Sequence, residues 1–258
     1  MITIACSLCY SPAVPVVAYS VRTKTPRHAA FVRVTHWLTV IAFTALLISG
    51  GEIVISHPRF YWGETGNVNM RPLFTIPIPS SRDTVPTGYR YVMPDQNGWS
   101  RYLHFQAAWL LVFTGAIYFL AGLATGHFRR NIVPVRGDRS LGAHWRRIAK
   151  YFRRSPPAAS EERSYNVLQR TAYLTVIFIL FPLVIWTGLA LSPGFNSAFP
   201  FFVNMLGGRQ SARTLHFFIS GALLLFLVIH IAMISLSGFW TRTRAMITGR
   251  AASTEEQS

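Results

Sequence analysis

Apolar residues in this chain are gathered into long runs that nearly lack charge, and are not spread at the helical or strand period of a half-buried surface element. Four runs stand out, at about 34–56 (VTHWLTVIAFTALLISGGEIVIS), about 103–125, about 171–191 and about 214–236. At about 1.5 Å per residue each is long enough to cross roughly 30 Å of hydrocarbon. A helix is the form that satisfies its own backbone polar groups in lipid. The competing reading is four core helices of a large soluble bundle, but uninterrupted apolar runs of this length, repeated four times, are costly in a soluble fold. The predicted fold class is therefore an all-α membrane protein: a four-helix transmembrane bundle, multi-pass in the cell inner membrane.

The segments between the runs complete the organisation. Residues 1–30 lack the basic start of a signal peptide and read as a flexible N-terminal arm. The four-helix domain occupies 31–249, and 250–258 form a tail. Between the first two runs, 57–101 is punctuated by Pro58, Pro72, Pro77, Pro79, Pro86 and Pro94, which rules out long helices there. Its aromatic content predicts an ordered lobe on the membrane surface, with Trp62, Trp99 and Tyr102 at the interface. The 126–170 link contains LGAHWRRIAKYFRR, a basic amphipathic stretch suited to anionic lipid headgroups. The stretch from Ala198 to Leu206 is too short to span and predicts a surface turn or short interfacial helix, and Pro182 predicts a kink in the third run.

Charge fixes the expected orientation. The formal net charge is +16, yet only 13% of residues are charged, and the positive ones sit between the apolar runs. This is not the continuous basic face that nucleic acid requires, so no nucleic-acid partner is expected. The 126–170 link is dense in arginine, whereas the short link from Ser192 to Arg213 carries only Arg209 and Arg213. Positive loops stay cytoplasmic, so both termini and the middle link are expected inside, and 57–101 outside.

The candidate chemistry is histidine. Of eight histidines, His36, His104, His216 and His230 lie in or at the ends of the apolar runs, where imidazole is costly without a purpose. Haem iron takes axial ligands from the protein, and four histidines suffice for two b-type haems. Depth decides the pairing: His104 and His216 fall near the outer face, and His36 and His230 toward the cytoplasm. His216 and His230 are 14 residues apart, about 21 Å along a helix and within roughly 40° of the same face. Polar contact between helices is the plainer explanation for one such residue, but not for four at matched depths.

Arg33, Arg101 and Arg213 each precede one of these histidines by three residues. That spacing shares a helix face and suits a grip on a haem propionate, although snorkelling arginines would sit there too. Gly50, Gly115, Gly188 and Gly221 leave room for a macrocycle or for a neighbouring helix. His28, His57, His127 and His144 read as surface or interfacial residues, with His28 and His127 as candidates for proton uptake near a quinone. Cys6 and Cys9 form a CxxC without the following His of a c-type haem attachment.

These residues carry a resemblance. The motifs RVTHW around His36, HPRFYWGE from His57, RYLHF around His104, GHFRRNIVP from Gly126 and YNVLQR from Tyr165 run along the chain. LSPG from Leu191, GGRQSARTLHF from Gly207, HIAM from His230 and GFWTRTRAMITG from Gly238 follow. Together they resemble the bacterial di-haem cytochrome b subunits of formate dehydrogenases and nickel–iron hydrogenases, and within them the thiosulfate reductase cytochrome b branch. The resemblance implies bis-histidine ligation by His36, His104, His216 and His230. It also implies electron exchange with menaquinone or ubiquinone near the cytoplasmic-side haem, and a periplasmic molybdopterin oxidoreductase partner. The expected docking surface is His57 to Arg101 with Ser192 to Arg213.

The function expected is electron relay between quinone and that partner, in either direction, with substrate chemistry on the partner. A haem-free transporter or proton channel, a purely structural anchor, and a stand-alone quinol-dependent reductase are the alternatives.

Overall fold

The computed structural model describes residues 28–67, 69–77, 99–133, 167–236 and 238–249, together with Gly142 and Trp145. The N-terminal arm, most of the basic 126–170 link and the tail lie outside the described residues, as does the second half of the 57–101 lobe. Four helices are long and apolar enough to cross a membrane. The first two are α1 (Ala30–Ser56) and α2 (Trp99–Ala124). The third span is continuous from Leu168 to Leu191; it comprises α3 (Val167–Thr175), a π-helical turn (Val176–Leu180) and α4 (Phe181–Leu191). Two short helices, α5 (Pro193–Ala198) and α6 (Pro200–Asn204), lead into the fourth span, α7 (Arg209–Leu236), and α8 (Phe239–Thr248) follows.

Each span starts three to five residues earlier than hydropathy suggests. The added turns hold polar residues such as Arg33, Arg101, Arg170 and Arg209. Helical hydrogen bonding does not stop where the hydrocarbon does, so 27 residues in α1 reach past the apolar core. The distortion expected at Pro182 takes the form of the π turn: Pro182 stands at the start of α4, where a missing N–H costs least, and the preceding turn widens.

The spans pack as two antiparallel hairpins, α1 on α2 and α4 on α7. Between the hairpins few backbones come within 8 Å, although helices in direct contact run about 8–10 Å apart. The ends of the bundle hold the hairpins in place.

At one end, called here the lobe end, the chain leaving α1 forms a two-residue ladder, β1 (Arg59–Phe60) with β2 (Phe74–Thr75), paired antiparallel. Phe60, 1% exposed, stacks on Phe74 at 4.7 Å and packs against Phe217 of α7 at 4.6 Å. The following residues bolt onto the start of α7. Ser211 Oγ accepts from Gly63 N–H at 2.8 Å, and Thr214 Oγ1 donates to Tyr61 O at 2.7 Å. The Gln210 and Ser211 amides donate to Gly63 O at 3.0 and 3.2 Å. The Glu64 carboxylate accepts from Arg209 N–H at 3.0 Å, a negative group where the helix dipole favours one.

At the opposite, basic end, α8 folds back on the start of α1. Arg33 Nη1 donates to Ile247 O at 2.7 Å, and Trp37 Nε1 to Met246 O at 3.4 Å. The end of α2 and its π-helical extension (Phe128–Ile132) pack there too, with Arg170 reaching Val133 O at 2.8 Å.

Gly208 makes the lobe clasp possible. Its φ is +104°, and a Cβ there would lie 2.7 Å from the backbone of Gly63 and Glu64. Gly208→Ala is expected to cost about 1–3 kcal/mol in local stability. Faster proteolysis of the lobe in the membrane-embedded protein is the measurement that reads it, and wild-type protection would contradict the clasp.

Candidate functional site

The four histidines predicted from sequence meet in two pairs across the space between the hairpins. His36 of α1 faces His230 of α7, with ring centroids 6.5 Å apart and planes at 49°. His104 of α2 faces His216 of α7 at 6.2 Å and 70°. The first pair lies toward the basic end and the second toward the lobe end. Two metal–imidazole bonds of about 2 Å each, with about 1 Å from each nitrogen to its ring centre, come to roughly 6 Å. Both gaps have about the width that two imidazoles would need to hold one haem iron between them.

The surroundings of the two pairs differ. Ser49 of α1 and Thr187 of α4 lie against the rings of the lobe-end pair: Ser49 Oγ is 3.0 Å from His104 Nδ1, and Thr187 Oγ1 is 2.9 Å from His216 Nδ1. Gly50 and Gly188 follow these hydroxyl residues. A Cβ on Gly50 would lie 3.4 Å from His104 Cε1, and one on Gly188 3.3 Å from His216 Cε1. The room expected at Gly50 and Gly188 is thus occupied by the His104 and His216 rings. Nothing lies within 4 Å of the Cβ position at Gly115 or Gly221, so those two leave open space. At the basic end, His36 Nδ1 is buried without a hydrogen-bond partner, and His230 stacks on Phe226 at 5.6 Å.

Sequence reasoning missed Ser49 and Thr187. A hydroxyl–glycine dipeptide occurs in all four spans (Ser49–Gly50, Thr114–Gly115, Thr187–Gly188 and Ser220–Gly221), so the sequence alone does not single these two out.

The three arginines are placed differently from one another. Arg33 spends a guanidinium donor on Ile247 O and leaves Nε buried without a hydrogen bond. Arg213 donates to Arg59 O at 3.2 Å and to His57 O, and lies 4.9 Å over the Phe60 ring. Both therefore fasten backbone at opposite ends. Arg101 is exposed at the start of α2.

Two further histidines are more enclosed than a surface assignment implies. His57 caps the C-terminal end of α1; burial first, then the charges of Arg213 and more weakly Arg101, lower its pKa against a backbone hydrogen bond that raises it. His127 is 9% exposed, with its ring edge-on to Phe31 at 5.5 Å, and Asn131 Nδ2 donates to its Nδ1 at 3.0 Å. It is a buried residue of the basic end, held below the ordinary imidazole pKa by burial.

Among the described residues no cluster of three or more His, Cys, Asp or Glu could hold a bare metal ion. The paired imidazoles would instead suit a metal carried in a macrocycle, as iron is in haem. Together, four apolar spans and facing histidines define a membrane cytochrome of the b type. The chain belongs to the prokaryotic cytochrome b561 family, whose profile matches residues 27–249. It is 30% identical over 214 residues to the "Putative protein-methionine-sulfoxide reductase subunit YedZ1" of Azospira oryzae, covering 81% of this chain and 90% of that protein. No solved structure matches. The family expectation from the motifs is borne out: this is a multi-pass membrane protein that binds b-type haem and transfers electrons.

The buried His127 makes the basic end sensitive to acid. The unfolded chain takes up this proton near pH 6.5, whereas the buried ring takes it up only at lower pH. Its contribution to stability is complete above about pH 6.5 and is lost as the pH falls below that. His127→Gln is expected to flatten the fall in thermal stability between pH 7.5 and 5; an unchanged pH profile would count against the burial.

Proposed function

We propose that this chain is the di-haem membrane subunit of a two-component oxidoreductase, passing electrons between the quinone pool and a periplasmic partner enzyme. One observation carries the reading: two imidazole pairs at 6.2 and 6.5 Å, set toward opposite ends of one bundle. His104 and His216 would hold one haem at the lobe end, and His36 and His230 the second at the basic end. Bound haem supplies reversible one-electron oxidation and reduction. The protein's part is to fix the rings, keep them from water and set how strongly they donate.

Orientation follows from charge. The 126–170 link carries eleven Lys and Arg against five in 57–101, so the basic end, with Arg33, Arg242 and Arg244, would be the cytoplasmic one, with both termini on that side. Menaquinone or ubiquinone would react near the His36/His230 pair, and the partner would dock on the lobe end. The two segments expected to form that docking surface are joined by the Gly63–Ser211 and Glu64–Arg209 contacts. Exposed Trp62, Phe201 and Met205 supply apolar area of the kind interfaces use. Arg101, exposed three residues before His104, is the arginine best placed to meet a propionate.

The name of YedZ1 makes that relative one subunit of a reductase, which supports placing substrate chemistry on a separate protein. The motif resemblance supports a molybdopterin enzyme in that role.

Haem counting tests the proposal. Pyridine haemochrome of the gently purified membrane complex should give two haems b per chain, with a molybdoenzyme co-purifying. His36→Ala and His104→Ala should each lower the ratio to about one. A wild-type ratio near zero would end the reading, and either variant keeping both haems would refute that ligand.

A further inference from the structure

We infer that Ser49–Gly50 and Thr187–Gly188 are matched positioning pairs that fix the tautomer and orientation of His104 and His216, and so tune the redox potential of the lobe-end haem. This rests on the reading of those two histidines as haem ligands.

The proton count sets the tautomer. Ser49 has one hydroxyl hydrogen and donates it to Ala45 O at 2.6 Å. Toward His104 Nδ1, 3.0 Å away, Ser49 Oγ can only accept. With that hydrogen on Ala45 O, His104 Nδ1 carries the ring proton and Nε2 the lone pair, and the Leu46 carbonyl is a second acceptor for the ring beside Ser49. Thr187 repeats the arrangement: with its hydroxyl hydrogen on Leu183 O at 2.8 Å it accepts from His216 Nδ1 at 2.9 Å, and the Val184 carbonyl is the second acceptor there. Each ligand on one helix of a hairpin is thus supported from the other helix of that hairpin, α1 supporting α2 and α4 supporting α7.

A hydroxyl in a spanning helix can satisfy itself by bonding back to the preceding turn, with no further role. Two features argue for more here. Both hydroxyl residues are fully buried, Ser49 at 0% and Thr187 at 1% exposure. Each is followed by a glycine whose missing Cβ admits the edge of the same ring, at 3.4 Å for Gly50 and 3.3 Å for Gly188. Hydroxyl and glycine together hold one imidazole by an acceptor at Nδ1 and a seat at Cε1. His36 differs, because its Nδ1 is buried without a hydrogen bond.

An imidazole that donates from Nδ1 is the more basic ligand at Nε2, and a more basic ligand favours ferric over ferrous iron. The hydroxyls thereby lower the potential of the lobe-end haem relative to the same site without them. Removing both should raise it.

The test uses the full-length, haem-loaded chain, titrated optically with its two components resolved. In the Ser49→Ala, Thr187→Val double variant, one component should move upward by a change of about tenfold in the ferric-to-ferrous ratio, which is 59 mV for a one-electron couple. The other component should stay in place, and Ser49→Thr with Thr187→Ser should keep wild-type values. Gly188→Ala, whose Cβ would press on the His216 ring at 3.3 Å, should shift the midpoint of the component that the double variant moves and leave the other in place. Loss of one haem from the double variant, restored by the conservative pair, also supports the proposal. Unchanged midpoints, or both components shifting together, overturn it. His104→Ala separates the two levels: loss of one haem there with unmoved midpoints in the double variant leaves the ligands standing and removes only the positioning role. Retention of both haems in His104→Ala removes the ligand reading itself.

Discussion

Two imidazoles facing each other across a gap of about 6 Å, at each of two depths, are the constraint that organises this bundle. A polar ring within lipid needs a partner, and helices in lipid gain little from apolar contact alone. Here backbones approach closely within each hairpin, α1 on α2 and α4 on α7, and seldom between hairpins, where side chains such as Phe119 and Phe128 reach Phe178 instead. What faces across the divide is chemistry: α7 presents both of its histidines to the other hairpin, one to α1 and one to α2. Direct packing of the hairpins at ordinary interaxial distance would close the space the rings need.

The separation has to be held from outside the membrane core, and the chain does this reciprocally. The segment leaving the end of α1 grips the start of α7 through Gly63, Glu64, Tyr61 and the Phe60–Phe217 contact. The segment leaving the end of α7 returns as α8 to the start of α1, where Arg33 and Trp37 donate to Ile247 O and Met246 O. Two antiparallel helices on different hairpins are thus fastened head to tail at both ends. The motifs HPRFYWGE and GGRQSARTLHF supply one clasp, and RVTHW and GFWTRTRAMITG the other, which gives those stretches a structural use besides any role in binding.

How much of this was legible follows from how local each signal is. Span number and type come from runs of apolar residues, a property each segment carries by itself. The histidine pairing was legible because depth in a membrane turns sequence position into a coordinate shared by all helices. The clasps were not legible, since Arg33 reaches a residue 214 positions away and Arg213 carbonyls 154 and 156 positions away. The propionate expectation for all three arginines used only the i, i+3 relation to a histidine, which is blind to such partners. Ser49 and Thr187 escaped for a similar reason: a hydroxyl in a spanning helix usually bonds its own preceding turn, and both do. Only the neighbouring helix reveals the second contact. His127 read as a surface residue because its segment is basic, yet its ring turns inward onto Phe31 and Tyr118.

The two clasps also explain why fastening at one end would not suffice. The histidines of α7 lie 14 residues apart, about 21 Å along the helix. With only the lobe clasp in place, the His104/His216 gap would be held close to its pivot. A tilt of a few degrees between hairpins would then move His230 relative to His36 by an ångström or more. A haem held by His36 and His230, as proposed above, would not tolerate a change of that size, so the far pair would need its own anchor. The Arg33–Ile247 contact lies three residues before His36, at the place where that tilt has its longest lever. Arg33 therefore serves the basic-end pair mechanically, by limiting how far α1 and α7 can part, whether or not its guanidinium also meets a charged group of a bound cofactor.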